Sequence, residues 1–324
     1  MMTNVPVLMS KCKAMAKESK IRIYEEWLAN QDFRASIPSS ETCETLLDAY
    51  FRTSESTFRI FHIPTFRKEY DQYRNQPFLA SDNFILRMLL AMAIGVTFYQ
   101  EPNVETLRIQ AKKWVYAAQS WLSETPYEKS RLNVSGLQLH CLLLIARQSL
   151  TMVEDLVWIS TGSLLRRAFS IGLHRDPKYF SNMTVLQAET RRRLWATIIE
   201  LNVQFSLEAG MNPLICFDDF DTEPPANIND EDIDENTSTS PTTKPSSVFT
   251  QTSIQIILLS SLKTRVEILK VCNSLNTEPS YEGVSRLGEI MMEECRKSSS
   301  FVRNIQSQNV NLRPTQLHVR PFQL

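Results

Sequence analysis

His174, Arg175 and Asp176 stand in a row, and a histidine beside a carboxylate is the pair from which a general base held in one tautomer can be built. Adjacent residues rarely face one site, however. Gly172, just upstream, has the character of a helix C-cap, so His174 and Arg175 fall near the negative end of that helix, where cations are stabilised. Capping and interhelical pairing are the reading this spacing favours over catalysis. No nucleophile elbow, phosphate-binding glycine loop or metal pair accompanies the three residues, so the chain is not expected to be an enzyme. The alternative from another class, a soluble helical metabolite-binding protein or enzyme, rests on this cluster and on a possible pocket.

Arg191, Arg192 and Arg193 are three consecutive cations on one helix, each turned about 100° from the last, so they cannot grip a phosphate backbone from one flat face. At least one must point inward. Glu189, Glu200 and the acidic stretch downstream are the simplest partners, and such pairs hold helices in register. That stretch, Phe217 to Glu235, holds nine carboxylates and neither lysine nor arginine. Asn229, Glu231, Asp232 and Asp234 offer hard oxygens to calcium, but the EF-hand glycine and terminal glutamate spacing are missing. An acidic activation segment is a further reading, with only Phe217 and Phe220 as interspersed aromatics; a loop packed on the scaffold is preferred.

The six cysteines, at 12, 43, 141, 216, 272 and 295, give no C-x2-C pair of the kind zinc sites use and read as reduced thiols. Met88, Leu89, Leu90, Met92, Phe98, Trp114, Tyr116 and Trp121 could line an effector pocket; stripes of this type are more often core. Lys11, Lys13, Lys17, Lys20 and Arg22 form the strongest local basic patch, read as a solvated helix face rather than a basic linker or targeting element.

These residues need helices to hold them. Seven glycines in 324 residues argue against a turn-dense β-protein, and 43% hydrophobic with 22% charged residues is the composition of an ordinary globular chain. Apolar periodicity predicts helices near 14–30, 40–54, 64–74, 81–100, 104–123, 134–149, 153–173, 185–210, 249–275 and 281–308. Pro64 suits a first turn, Thr184 with Gln187 a capping box, and Asp176-Pro177 a helix stop. In the helix after Thr184, Leu194, Ile198, Leu201 and Phe205 share a face from which Arg191, Arg192 and Glu200 fall away, so that helix is expected to pack on one side only. The charge-free stretches Met88–Gln100 and Leu132–Ala146 are too short to span a bilayer and read as buried helices, with no membrane association expected. The start lacks the apolar run of a secretory signal, which points to an intracellular chain.

The expected architecture is all-α. A helical, basic lead-in covers 1–39, and a regulatory domain 40–235 ends in the long acidic loop. A flexible, hydroxyl-rich linker spans 236–247, helices of the same domain 248–305, and a tail 306–324 that looks shortened. Net charge is −1, from 35 Lys+Arg against 36 Asp+Glu, which supplies no global field for nucleic acid.

The run from Gly162 through Arg166, Gly172 and His174-Arg175-Asp176 is followed by Ala188-Glu189 and Arg191-Arg192-Arg193-Leu194-Trp195. Then come Gly210 with Pro213 and an acidic segment bearing Asp219, Asp221 and Pro224. Together these resemble the fungal-specific transcription factor domain, the middle homology region of zinc binuclear cluster regulators. Leu46 to Phe66, closing on His62-Ile63-Pro64-Thr65-Phe66, is similar to that domain's opening, so the likeness covers roughly 40 to 300. The wording is nearest a filamentous-fungal subgroup. Asn202 and Val203 stand where many members carry aspartate and arginine, and Gly210-Met211-Asn212-Pro213 replaces Gly-Arg-Pro, so a helix-end salt bridge is not expected here.

The resemblance implies an all-helical regulatory domain of a nuclear transcription regulator, specific to a pathway or gene cluster. The C-x2-C-x6-C zinc cluster of such proteins has no counterpart in this sequence, so no cofactor is expected in the chain. DNA would be reached through a missing N-terminal module or indirectly, by dimerisation with itself or with another regulator. An incomplete gene model accounts for the same absence, and a pseudo-regulator that sequesters its full-length relatives is a third reading.

Overall fold

The computed structural model describes residues 5–29, 32–124, 127–152, 157–276 and 280–308. Among them lie twelve α-helices and no strand. At the centre cross α5 (Asp82–Gly95) and α7 (Val134–Ser149), the helices built from the two charge-free stretches. α7 is buried on every side from Gly136 to Arg147, and Met88 to Ile94 of α5 are sealed from solvent. A helix apolar all round has to be enclosed. α2 (Ser40–Arg52) and α6 (Val104–Ser123) pack against α5, and α1 (Val5–Ala29) packs against α6 through Ile23 and Trp27. Lys11 and Lys13 stand exposed on α1, whereas the side chains of Lys17 and Lys20 lie outside the described residues. Met88, Leu89, Leu90, Met92 and Trp114 fill this core, with Tyr116 and Trp121 partly buried against it, and Phe98 stands 41% exposed.

The second half is built around α9 (Val185–Ala209), which packs on α8 (Val157–Ser170), α7, α10 (Ser253–Ser260), α11 (Leu262–Cys272) and α3 (Ser54–Phe58). α4 (Ile63–Asn75) begins where sequence places it, with Pro64 in its first turn and the His62 ring accepting from the Thr65 amide. α9 opens on the expected capping box: Thr184 Oγ1 accepts from the Gln187 amide and Gln187 Oε1 from the Thr184 amide, both at 3.2 Å. α12 (Tyr281–Gln308) lies on α11. No helix is long and apolar enough to cross a membrane among the described residues.

Two expectations are corrected. The helix foreseen over 249–275 is two, α10 and α11, meeting at Ser261. There the hydroxyls of Ser260 and Ser261 donate to the Ile257 and Leu258 carbonyls, competing with the backbone ladder, and Arg265 Nη2 supplies a second donor to the Leu258 carbonyl at 2.7 Å. The other correction concerns α9, which is enclosed nearly all round instead of packing on one side. Glu189, Arg191, Arg193 and Glu200 are each buried to within 8% of full enclosure, because each charge finds a partner inside the protein. A pattern of charged and apolar residues marks a solvent face only where no buried partner meets the charges.

The residues 236–247, read as a linker, contain neither helix nor strand. They are tied at both ends to the acidic loop: Thr237 Oγ1 donates to Asp234 Oδ1 at 2.8 Å, and Lys244 Nζ reaches Asp232 Oδ2 at 2.6 Å. From residue 309 onward the tail lies outside the described residues.

α2 and α5 come close at Gly95, where a Cβ would run into the Leu46 carbonyl oxygen, whereas a Cβ at Gly288 of α12 would meet nothing within 4 Å. Two alanine substitutions should therefore act in opposite directions in urea denaturation. Gly95→Ala is expected to cost about 1–3 kcal/mol or more by overpacking, and Gly288→Ala to add about 0.5–1 kcal/mol through helix propensity.

Candidate functional site

The C-terminus of α8 closes on Gly172, whose φ of 69° is the left-handed conformation that favours glycine. The Leu173 amide reaches back to the Ala168 carbonyl and the Gly172 amide to that of Phe169, both at 3.0 Å, a Schellman pairing. Arg191 on α9 supplies donors to two carbonyls there: its Nη2 bonds the oxygens of Gly172 at 2.7 Å and Ile171 at 3.2 Å while its guanidinium lies over Phe180. One of the three arginines is thus a side-chain cap on a neighbouring helix.

The chain then turns so that Asp176 is wholly enclosed, and Arg192 grips it with two hydrogen bonds of 2.8 and 2.9 Å. The amides of Lys178 and Glu223 donate to the same carboxylate at 2.9 and 3.0 Å. Burial pushes its pKa up, but the Arg192 guanidinium and the two amides outweigh burial and hold it at about 2. Asp176 is therefore fully occupied and does not orient His174. The His174 ring packs on Phe169 at 4.7 Å, and partial burial beside Arg175 lowers its pKa against the pull of Asp221 and Asp219. Trp195 continues the stack edge-on, 5.6 Å from Phe169 and 5.3 Å from Phe220 of the acidic loop.

That loop lies along α8 and α9. Asp221 takes the Asp176 amide at 2.8 Å and gives its own amide to the His174 carbonyl at 3.1 Å, while Thr222 donates to the Leu173 carbonyl. Arg175 meets Asp221 at 3.1 Å and Lys178 meets Glu223 at 2.5 Å. Both pairs are half exposed to water, where solvent screening leaves such bonds little net stabilisation. The loop's anchor lies further along, at Asp230.

Asp230 is sealed from solvent, and two guanidiniums share one oxygen of its carboxylate: Arg59 from the end of α3, and Arg193 of α9 at 2.5 Å. The Ile63 amide, at the start of α4, takes the other oxygen at 2.9 Å. His62 Nε2 stands 2.9 Å from the Asp230 carbonyl, and Gln251 Oε1 accepts the Asp230 amide at 2.7 Å. Arg193 also bonds Glu189 at 3.2 Å, and Glu189 accepts the Ala226 amide at 3.1 Å. Burial again raises the Asp230 pKa, and Arg59 and Arg193 with the Ile63 amide bring it down to about 2. Beside them Glu55, equally buried, accepts from the Tyr50 hydroxyl at 2.6 Å and the Phe61 amide at 2.7 Å. Its burial outweighs the pull of Arg59 and lifts its pKa to about 7.

The residues singled out from sequence are thus divided. Gly172, His174, Arg175, Asp176, Arg191, Arg192, Trp195 and Asp221 gather at the α8–α9 corner, and Glu189 with Arg193 at the Asp230 anchor. Asp219 and Pro224 are exposed. Gly162 and Arg166 lie apart: a Cβ on Gly162 would come 3.3 Å from Leu214, and Arg166 is exposed beside it. Gly210, φ 62°, ends α9, and the buried Pro213 follows it. Where a salt bridge was not expected, the Asn202 side chain accepts the Leu214 amide at 3.0 Å instead.

Sequence reasoning missed Arg59 and Glu55, and counted Asp230 only as one carboxylate of nine. Glu200 was named without its partner Arg265, which grips it from α11 with bonds of 2.9 and 2.7 Å. The usable signal for Arg59 was its place inside the aromatic-rich 46–66 segment.

No three of His, Cys, Asp or Glu converge as metal donors among the described residues. Of the hard oxygens considered for calcium, Asp232 is paired with Lys244, Asp234 with Thr237, and Asn229 Oδ1 accepts the Gln251 amide at 3.0 Å. What the arrangement does is fasten an acidic loop across a helical scaffold.

The comparisons with known proteins bear on that scaffold. A family described as the fungal specific transcription factor domain matches residues 47–311. The chain belongs to that family. The domain is similar to the transcription factor lepE of Aspergillus flavus, 38% identical over 92% of this chain and 36% of that protein. It is similar also to the transcription factor opdR of Penicillium oxalicum, 39% identical over 90% of this chain and 37% of the relative, and to the aspyridones cluster regulator apdR of Emericella nidulans, 31% identical over 78% and 34%. The chain spans little more than a third of the length of these relatives. No solved structure matches it.

Removing one member of a buried pair leaves the other uncompensated, so Asp230→Asn is expected to lower unfolding free energy by about 3–5 kcal/mol, against about 1 kcal/mol or less for Asp221→Asn. The pH profile separates the carboxylates. Between pH 4.5 and about 7 the folded chain keeps a proton on Glu55 that the unfolded chain has lost, so this group's contribution falls as pH rises through that window. The loss is on the order of 3 kcal/mol, and Glu55→Gln should abolish it in denaturation followed from pH 4.5 to 8. Asp176 and Asp230 act oppositely: their stabilisation is present above pH 3.8 and lost as pH falls toward 2.

Proposed function

We propose that this chain is the regulatory domain of a pathway- or gene-cluster-specific transcription regulator that works in the nucleus through a protein partner. The observation that carries the reading is the family match over 47–311, taken with relatives named as transcription factors and, in one case, as a cluster regulator. These 324 residues contain no C-x2-C pair and carry a net charge of −1, which supports a reading in which sequence-specific contact with DNA comes from another module or another chain. No cofactor is assigned to the chain itself. The α8–α9 corner and the Asp230 anchor serve as scaffold, with the half-exposed acidic loop presented on the surface.

In gel shifts with a promoter fragment bound by a zinc-cluster regulator of the same genome, the purified chain should produce no salt-sensitive, sequence-specific complex. Co-expressed with a zinc-cluster regulator from the same genome, it should co-purify with that regulator and join its DNA complex. Specific binding by the chain alone would sink the partner-dependent reading.

A further inference from the structure

Between the acidic loop and α10 runs Asn236–Ser247, in which eight of twelve residues carry a side-chain hydroxyl. The base of this segment is held. Thr237 bonds Asp234, and at the far end Lys244 pairs with Asp232 at 2.6 Å while its amide donates to the Asn227 carbonyl at 3.1 Å. The Asn227 side chain adds donors to the carbonyls of Lys244 at 3.2 Å and Pro245 at 3.0 Å. Between those ties, residues 238–243 form no helix or strand and none of their backbone amides is hydrogen-bonded among the described residues. The segment is an Ω-type loop, closed at its base and open at its tip.

At the tip Ser240 is exposed and is followed by Pro241, which is half buried. The proline ring fixes its own φ and turns the residue before it toward extended backbone. An exposed hydroxyl immediately before a proline, in a segment free of helix and strand, is the form in which proline-directed protein kinases take their substrates. We propose that Ser240 is a phosphorylation site for a kinase of that class. In the transfer the Ser240 oxygen attacks the γ-phosphorus of a nucleoside triphosphate. The new Oγ–P bond forms as the bond from that phosphorus to the bridging oxygen breaks; the nucleoside diphosphate leaves with the electron pair, and the hydroxyl proton passes to the kinase's base.

The product carries roughly −1.5 to −2 additional charges. They arrive on a surface that already exposes Glu231, Asp232, Asp234 and Glu235, with Lys244 and Lys68 as contacting cations. Ser240 itself is exposed and makes no hydrogen bond among the described residues, so phosphorylation alters the charge shown to a partner and leaves the packing intact. The site stands whether or not the chain regulates transcription.

The test is to incubate the full chain with ATP and a purified proline-directed kinase, shown active on a Ser-Pro peptide, and to map phosphate by peptide mass spectrometry. Phosphate is expected on Ser240 with the melting temperature unchanged, and is expected to be lost from this loop in both Ser240→Ala and Pro241→Ala. The chain has one other hydroxyl residue followed by proline, Thr125. Phosphate on Thr125 alone, no phosphate at all, or undiminished labelling of Ser240 in Pro241→Ala would each overturn the proposal.

Discussion

Two guanidiniums and three carboxylates, nearly sealed from water, impose the condition that the rest of this molecule has to meet. Arg59 and Arg193 share the carboxylate of Asp230; Glu189 lies on the far side of Arg193, and Glu55 sits in the field of Arg59. Taking each ion out of water costs several kcal/mol, which is recovered only when every partner is in place. Arg59 reaches its position on a left-handed backbone, φ 48° and ψ 48°, a conformation that costs a non-glycine residue about 1–3 kcal/mol. The α3–α4 corner, α9 and the acidic loop must all be correct before that cost is offset.

The count of charges explains why one carboxylate differs from the rest. Two guanidiniums neutralise two carboxylates, and a third buried beside them is in excess. Asp230 receives both arginines and a backbone amide, so it stays ionised far below neutrality, while Glu55 has a tyrosine hydroxyl and an amide but no guanidinium hydrogen bond. The proton therefore settles on Glu55. Its hydrogen bond with Tyr50 survives either state, because a phenol can donate or accept.

Much of the fold was legible because apolar periodicity and capping chemistry are local. The charge-free runs gave α5 and α7, Thr184 with Gln187 gave the start of α9, and Gly172 gave the end of α8. The anchor was not legible for a physical reason: Asp230 meets Arg59 across 171 residues and Arg193 across 37, and nothing in the local text separates it from Glu231 beside it. The same blindness misjudged α9, since Arg191 and Glu200 fall away from its apolar face in the sequence pattern until their partners arrive from the end of α8 and from α11. The split of 249–275 was readable in principle. Ser260 and Ser261 are the side chains that compete for helix carbonyls, but an apolar pattern running on both sides of them hides the break.

The two buried ion-pair systems on α9 act together as a register lock. Arg193 in its first half is fixed to Asp230 and Glu189, and Glu200 two turns further on is gripped at both oxygens by Arg265 of α11. Apolar packing alone would tolerate a helix that turns or slides by a fraction of a turn, because leucine and isoleucine side chains find contact in many arrangements. A slide of one residue along the axis moves these charges by about 1.5 Å and swings them by about 100°, which breaks hydrogen bonds at both ends at once. Replacing the ion pairs with apolar residues of similar volume need not weaken the core, since buried pairs rarely add net stability. What the pairs supply is the single alignment in which α8 meets the acidic loop at Asp176 and α11 meets α9 at Glu200. That alignment places the loop on the surface, where another molecule can reach it.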